Sequence, residues 1–126
     1  MGCLSMKLNE ALHILEGAGY TAEKFTAQDV VNIMYSKFDP DFGGLNGWSC
    51  NVDDNNTVFI QHKNVTIQVK PLVRKQAVKV VAHTDSEDDY PGKNWKCFDK
   101  TFVFDGSETL KDFFKGITYS IKFIGK

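Results

Sequence analysis

Thr57-Val-Phe-Ile-Gln-His62 and Val65-Thr-Ile-Gln-Val-Lys70, separated only by Lys63-Asn64, decide the fold. Apolar and polar residues alternate in both runs, and a period of two marks a strand with one buried face. A two-residue connection fits a hairpin, and Asn64 tolerates the positive φ such turns need. In that register Val58, Ile60 and His62 share a face with Val65, Ile67 and Val69. Working outward, Trp48–Val52 leads in through the turn Asp53-Asp-Asn-Asn56. Ala77–Thr84 follows, with Val78, Val80 and Ala82 inward, and Cys97–Phe104 supplies a further strand. Pro71 has no N–H to give a ladder and suggests an edge strand. Short connections make an antiparallel meander the economical topology.

The flanks change period. Leu8, Ala11, Leu12 and Leu15 repeat at three and four residues, and Gly17-Ala-Gly19 supplies a stop. A second helix starts at Thr26, where Thr-x-x-Asp29 forms a capping pattern. Val30, Ile33, Met34 and Phe38 line one of its faces, and Asp39-Pro40 ends it. Leu110, Phe113, Phe114, Ile117, Ile121 and Ile124 fit a helix face, with Asp105 or Ser107 as cap. Residues 117–124 are β-rich in composition, so a short helix followed by a strand is the alternative; the spacing favours one helix from about Ser107. The expectation is an α+β fold: an N-terminal helical hairpin, an antiparallel β-meander of about five strands and a C-terminal helix. Residues 1–126 read as a single α+β domain without repeats.

Composition narrows the class. The 126 residues are 42% hydrophobic and 25% charged, values of a folded chain rather than a disordered one. Cys3, Cys50 and Cys97 lie far apart with no C-x-x-C pair, against both a disulfide framework and a Cys₄ zinc site. No run nears the roughly 20 apolar residues of a membrane helix, and no signal-peptide pattern opens the chain. Asn55-Asn-Thr57 and Asn64-Val-Thr66 match the glycosylation pattern, but with no secretory signal they read as chance. The expected location is cytoplasmic, with no membrane partner. A net charge of -1 hides an uneven distribution, with cations over 63–79 and four acids within 85–89.

Few residues offer chemistry. His13 sits on a helix face beside Glu10 and Glu16; His62 and His83 lie near strand ends, where neighbouring strands could join them. Two histidines are short of the three or four ligands that zinc requires. Asp39-x-Asp41-x-Gly43-Gly44 resembles the start of a calcium loop, but the twelfth position is Cys50 rather than a bidentate acid. Cys97 with His83 is a conceivable nucleophile and base, yet nothing local activates the thiol. Phosphate-loop, dinucleotide, nucleophile-elbow and zinc-protease motifs are all missing. The reading is a non-enzyme, with no cofactor and no metal.

Two stretches suit binding. The connection from Asp85 to Trp95 groups Asp85, Glu87, Asp88 and Asp89 with Tyr90 and Trp95, carboxylates to attract a basic surface and aromatics to anchor it. A solvated loop with Trp95 folded on the core is the plainer alternative. The second stretch is Lys63, Lys70, Arg74, Lys75 and Lys79, a basic strip for nucleic acid. Its interleaved residues are aliphatic rather than aromatic, and lysines on an edge strand also serve only to prevent pairing.

Met6-Lys-Leu-Asn-Glu-Ala-Leu-His-Ile-Leu-Glu-Gly-Ala-Gly-Tyr20 resembles the opening of small bacteriophage and prophage accessory proteins, M-K-L-x-E-A-L-x-x-L-x-x-x-G-Y. The resemblance covers about 15 residues. It implies Met6 as the natural start, residues 1–5 as an alternative start or appended residues, and a bacterial host as the setting. It also implies antagonism of host defence by binding, as in the anti-CRISPR group, and carries over no site residue. The expected function is a non-enzymatic binding protein that occupies a basic surface of a host protein or nucleoprotein complex. The alternative is a nucleic-acid-associated accessory protein using the Lys63–Lys79 strip.

Overall fold

A computed structural model describes residues 23–84 and 96–125. The N-terminal helix expected around Leu8–Leu15 lies outside them, and the second helix is present. Helix α1 spans Ala27–Phe38. Thr26 Oγ1 accepts from Asp29 N at 3.2 Å while Asp29 Oδ2 accepts from Thr26 N at 2.8 Å, a reciprocal cap. The helix stops where Asp39 turns extended ahead of Pro40. Asp39 Oδ1 then takes Asp41 N at 2.9 Å and starts the 3₁₀ turn Pro40–Phe42. One carboxylate of the calcium-like pattern is thereby spent on the backbone.

Five strands follow: β1 (Trp48–Val52), β2 (Val58–His62), β3 (Val65–Leu72), β4 (Ala77–Thr84) and β5 (Lys96–Val103). They form one sheet in the order β1-β2-β3-β4-β5, antiparallel throughout. The deciding hairpin has the expected register, with Val58 opposite Val69 and Ile60 opposite Ile67. Its left-handed residue is Lys63 (φ 56°) rather than Asn64. The β1–β2 turn is built by Asp53, whose Oδ1 accepts from Asn55 N and Thr57 N, both at 2.9 Å.

The edge position read from Pro71 is corrected. β3 is the central strand and continues through Pro71, which sits opposite Val78 on β4. The strand tolerates proline because β2 pairs only as far as Val58↔Val69. Beyond that point no described strand pairs with β3 on that side, so a missing N–H there costs no ladder bond to β2.

Helix α2 runs unbroken over Leu110–Ile124, so residues 117–124 are helical. The cap is Thr109, whose Oγ1 accepts from Asp112 N at 3.0 Å, and not Asp105 or Ser107. Asp105 is instead occupied by Ser107, through its N at 2.8 Å and its Oγ at 2.6 Å. Those bonds, the hydroxyl's foremost, lower the Asp105 carboxyl below its usual value.

Both helices lie on one face of the sheet, α1 against β1, β2 and β3 and α2 against β5. Val30, Met34, Phe38, Val58, Ile60, Ile67, Val69, Val78, Val80, Ala82, Phe114, Ile117 and Ile121 are almost wholly buried between the layers. Each such large apolar side chain contributes about 1.5–3 kcal/mol. Phe25 joins the layers, stacked on Phe113 at 5.8 Å and edge-on to Phe114 at 5.6 Å. By alternation the other sheet face carries Ser49, Asn51, Gln61, Lys70, Lys79 and Thr101, and neither described helix covers it.

Candidate functional site

The acidic stretch is fixed at its two ends. β4 and β5 stay paired from Ala77↔Val103 to His83↔Lys96, with a register shift at Ala82/His83. The described residues on either side of the stretch, Thr84 and Lys96, therefore lie side by side at one end of the sheet. Asp85, Glu87, Asp88, Asp89, Tyr90 and Trp95 lie outside the described residues.

The basic strip is divided. Lys70 and Lys79 are direct cross-strand partners on the sheet face away from the helices. Arg74 and Lys75 are exposed in the 3₁₀ turn Val73–Lys75 that joins their strands. These four residues form one cationic group. Lys63 does not belong to it: it occupies the β2–β3 turn, at the opposite end of the sheet. At about 3.3 Å per residue, Lys70 is roughly 17 Å along the strand from Val65. Val65 pairs with Thr84, so Lys63 sits at the end from which the acidic stretch departs.

The histidines are kept apart. His62 points into the helix side, stacked on Trp48 with centroids at 4.3 Å, its Nδ1 buried without a hydrogen-bond partner among the described residues. His83 belongs to the other face, where its Nε2 meets Gln68 Nε2 at 3.3 Å. β3 separates the two strands, and no group of three or more metal-binding side chains exists among the described residues. His13, Cys3 and the Cys97 side chain lie outside them. Cys50 is buried; desolvation, aided by the nearby charge of Asp39, pushes its thiol up to about 12. Such a thiol is no nucleophile at neutral pH. Burial likewise raises Tyr35, with Cys50 and Asp39 adding to it.

A further feature went unread in the sequence. Between α1 and α2 runs a groove of about 610 Å³ lined by Glu23, Ile33, Ser36, Lys37, Leu110, Lys111, Phe114 and Lys115. Ile33, expected in the core, is only half-buried because it forms part of the groove floor. The available signal was charge on the apolar side of α2: Lys111 and Lys115 flank Leu110 and Phe114 one helical turn apart. Phe42, Tyr119 and Phe123 are also exposed, at 67%, 73% and 68%. No described helix is long and apolar enough to cross a membrane.

Compared with known proteins, the chain matches no family model, no curated protein and no solved structure.

Proposed function

We propose that this protein is a non-enzymatic binding protein that occupies a basic surface of a host protein or nucleoprotein complex through the acidic connection between β4 and β5. One observation carries the reading. The strands on either side remain paired to His83↔Lys96, so an acidic, aromatic stretch is mounted on a fixed base where about two to five residues would suffice as a hairpin loop. Asp85, Glu87, Asp88 and Asp89 would steer a cationic surface inward, and Tyr90 and Trp95 would anchor it. The resemblance of residues 6–20 to phage accessory proteins supports inhibition of a host-defence complex as the outcome. The test is partner capture at graded salt with nuclease treatment, followed by association kinetics. Neutralising the four acids should slow association and flatten its salt dependence, whereas Trp95→Ala should speed dissociation. Unchanged kinetics in both variants, with unchanged melting curves, would remove the site.

A second reading has its own observation. Lys70 faces Lys79 across the ladder with Arg74 and Lys75 at the adjoining turn, a compact cationic group suited to phosphates. Labelled duplex and single-stranded DNA would then bind with a steep salt dependence, each lost phosphate contact lowering the slope by about 0.7–0.9. Lys70→Gln/Lys79→Gln leaving that slope intact would exclude it.

A further inference from the structure

The groove between α1 and α2 has a floor and a rim of different character. Ile33, Leu110 and Phe114 form an apolar floor, while Lys37 stands on the α1 wall and Lys111 and Lys115 on the α2 wall. Glu23 is the one carboxylate among the described lining residues, and it is already engaged. None of the three lysines has an ion pair or hydrogen bond among the described residues. Lys111 is also placed against local preference. It follows Leu110 in the first turn of α2, where the partial positive charge of the helix end favours a carboxylate. The helix end thus adds to the cationic rim rather than offsetting it.

We propose that this groove receives an acidic amphipathic helix from a partner protein. The groove is walled by the second half of α1, from Ile33 to Lys37, and the first two turns of α2, from Leu110 to Lys115, and a third helix laid between them would set its apolar side on the floor. Lys111 and Lys115 are one turn apart on one wall, so carboxylates at i and i+4 of the incoming helix match their spacing. Lys37 across the groove takes an acid on the other flank. The inference is independent of the acidic connection, whose partner surface has the opposite sign.

The test uses the full chain and a fluorescein-labelled peptide of about 18 residues, roughly five helical turns, with a leucine stripe flanked by glutamates. Comparison peptides have the same composition scrambled, or lysines in place of the glutamates. Anisotropy should show binding of the first peptide alone, weakening from about 50 to about 300 mM salt. Lys111→Glu/Lys115→Glu should cost about tenfold or more in affinity. Its melting temperature should hold, because a carboxylate in the first turn of α2 suits the helix end better than the lysine does. Neutralising the four acids of the β4–β5 connection should leave this binding unchanged, separating it from the reading above. Equal binding of the scrambled peptide, no binding at all, or an indifferent double variant would each overturn the proposal. So would a dimer, seen by light scattering, that the double variant dissociates, which makes a second copy the occupant. Binding that emerges only with Leu8→Glu/Leu12→Glu would assign the groove to the chain's own N-terminal residues and equally overturn it.

Discussion

Gln76 ties the segment before α1 to the β3–β4 turn, and its replacement tests how the layers are joined. Its Oε1 accepts from Phe25 N at 2.9 Å, and its Nε2 donates to Phe25 O at 3.0 Å and to Val73 O at 2.8 Å. One side-chain amide therefore satisfies both backbone groups of Phe25, whose ring is only 1% exposed. Gln76→Ala leaves both groups unpaired. Each costs about 1–3 kcal/mol if shielded from water, and the half-exposed turn admits some, so a total loss of roughly 2–4 kcal/mol is expected. That is a large share of the ~5–15 kcal/mol available to a domain.

Gln76 also has φ 46° and ψ 53°, a left-handed conformation that costs an L-residue roughly 1–2 kcal/mol. Gln76→Gly removes the same amide but relieves this strain, so it should be about 1 kcal/mol more stable than Gln76→Ala. Gln76→Glu keeps the acceptor for Phe25 N and sets an oxygen against the carbonyls of Phe25 and Val73. It should be at least as damaging as alanine at neutral pH and should recover as the carboxyl is protonated. Urea unfolding at constant temperature gives the ranking, with the slope checked for constancy. An alanine variant within about 0.5 kcal/mol of the parent, or a glycine variant below alanine, would refute the reasoning.

Three further outcomes follow from the same geometry. Gly44→Ala would put a Cβ 2.5 Å from Asp39 N and Phe38 C, backbone atoms that cannot rotate aside. A loss of about 1–3 kcal/mol in thermal or urea unfolding is expected, and an unaffected midpoint would contradict the close packing. The thiol of Cys50 rises on folding from 9.0 to about 12. Its contribution is therefore full below pH 9 and is lost as pH climbs toward 12, because the unfolded chain releases the proton first. Against a Cys3→Ser/Cys97→Ser background, Cys50→Ala should flatten that alkaline limb, and superimposable profiles would refute the assignment. Thr26→Ala should cost about 1 kcal/mol through loss of the cap on Asp29 N, measured by the same unfolding; no change would show that the reciprocal cap is dispensable.

What the sequence made legible was local. The Thr26–Asp29 cap, the Lys63-Asn64 spacing and the inward placement of Val78, Val80 and Ala82 each depend on residues within a few positions, and each appears as expected. The continuity of α2 through Gly116 was readable because Leu110, Phe113, Phe114, Ile117 and Ile121 hold one stripe across the β-rich composition. What failed was non-local or competitive. Pro71 could be placed only by knowing where β2 ends, and Asp105 lost the cap to Thr109 because Ser107 occupies it. Gln76 acts on a residue 51 positions away. The lysine-rimmed groove needs Lys37 beside Lys111 and Lys115, a juxtaposition no periodicity reports.

The position of each charge on the sheet decides how the two functional readings can be separated. Arg74 and Lys75 lie in the turn before Ala77, and the acidic stretch departs after Thr84, at opposite ends of β4. A strand of 8 residues spans roughly 26 Å, about three Debye lengths at physiological salt. Charges at the two ends therefore act almost independently on an approaching partner, and the net charge of -1 adds little steering of its own. Neutralising the acids should leave the salt slope of any nucleic-acid binding intact, and neutralising Lys70 and Lys79 should leave capture of a basic partner intact. Lys63 is the informative exception. It belongs to the basic strip by sequence but lies at the end of the sheet where Thr84 precedes the acidic stretch, so its charge there would partly oppose that of the carboxylates. Lys63→Gln should therefore speed association with a basic partner and leave the salt slope for DNA unchanged; a variant that weakens DNA binding instead would return Lys63 to the strip.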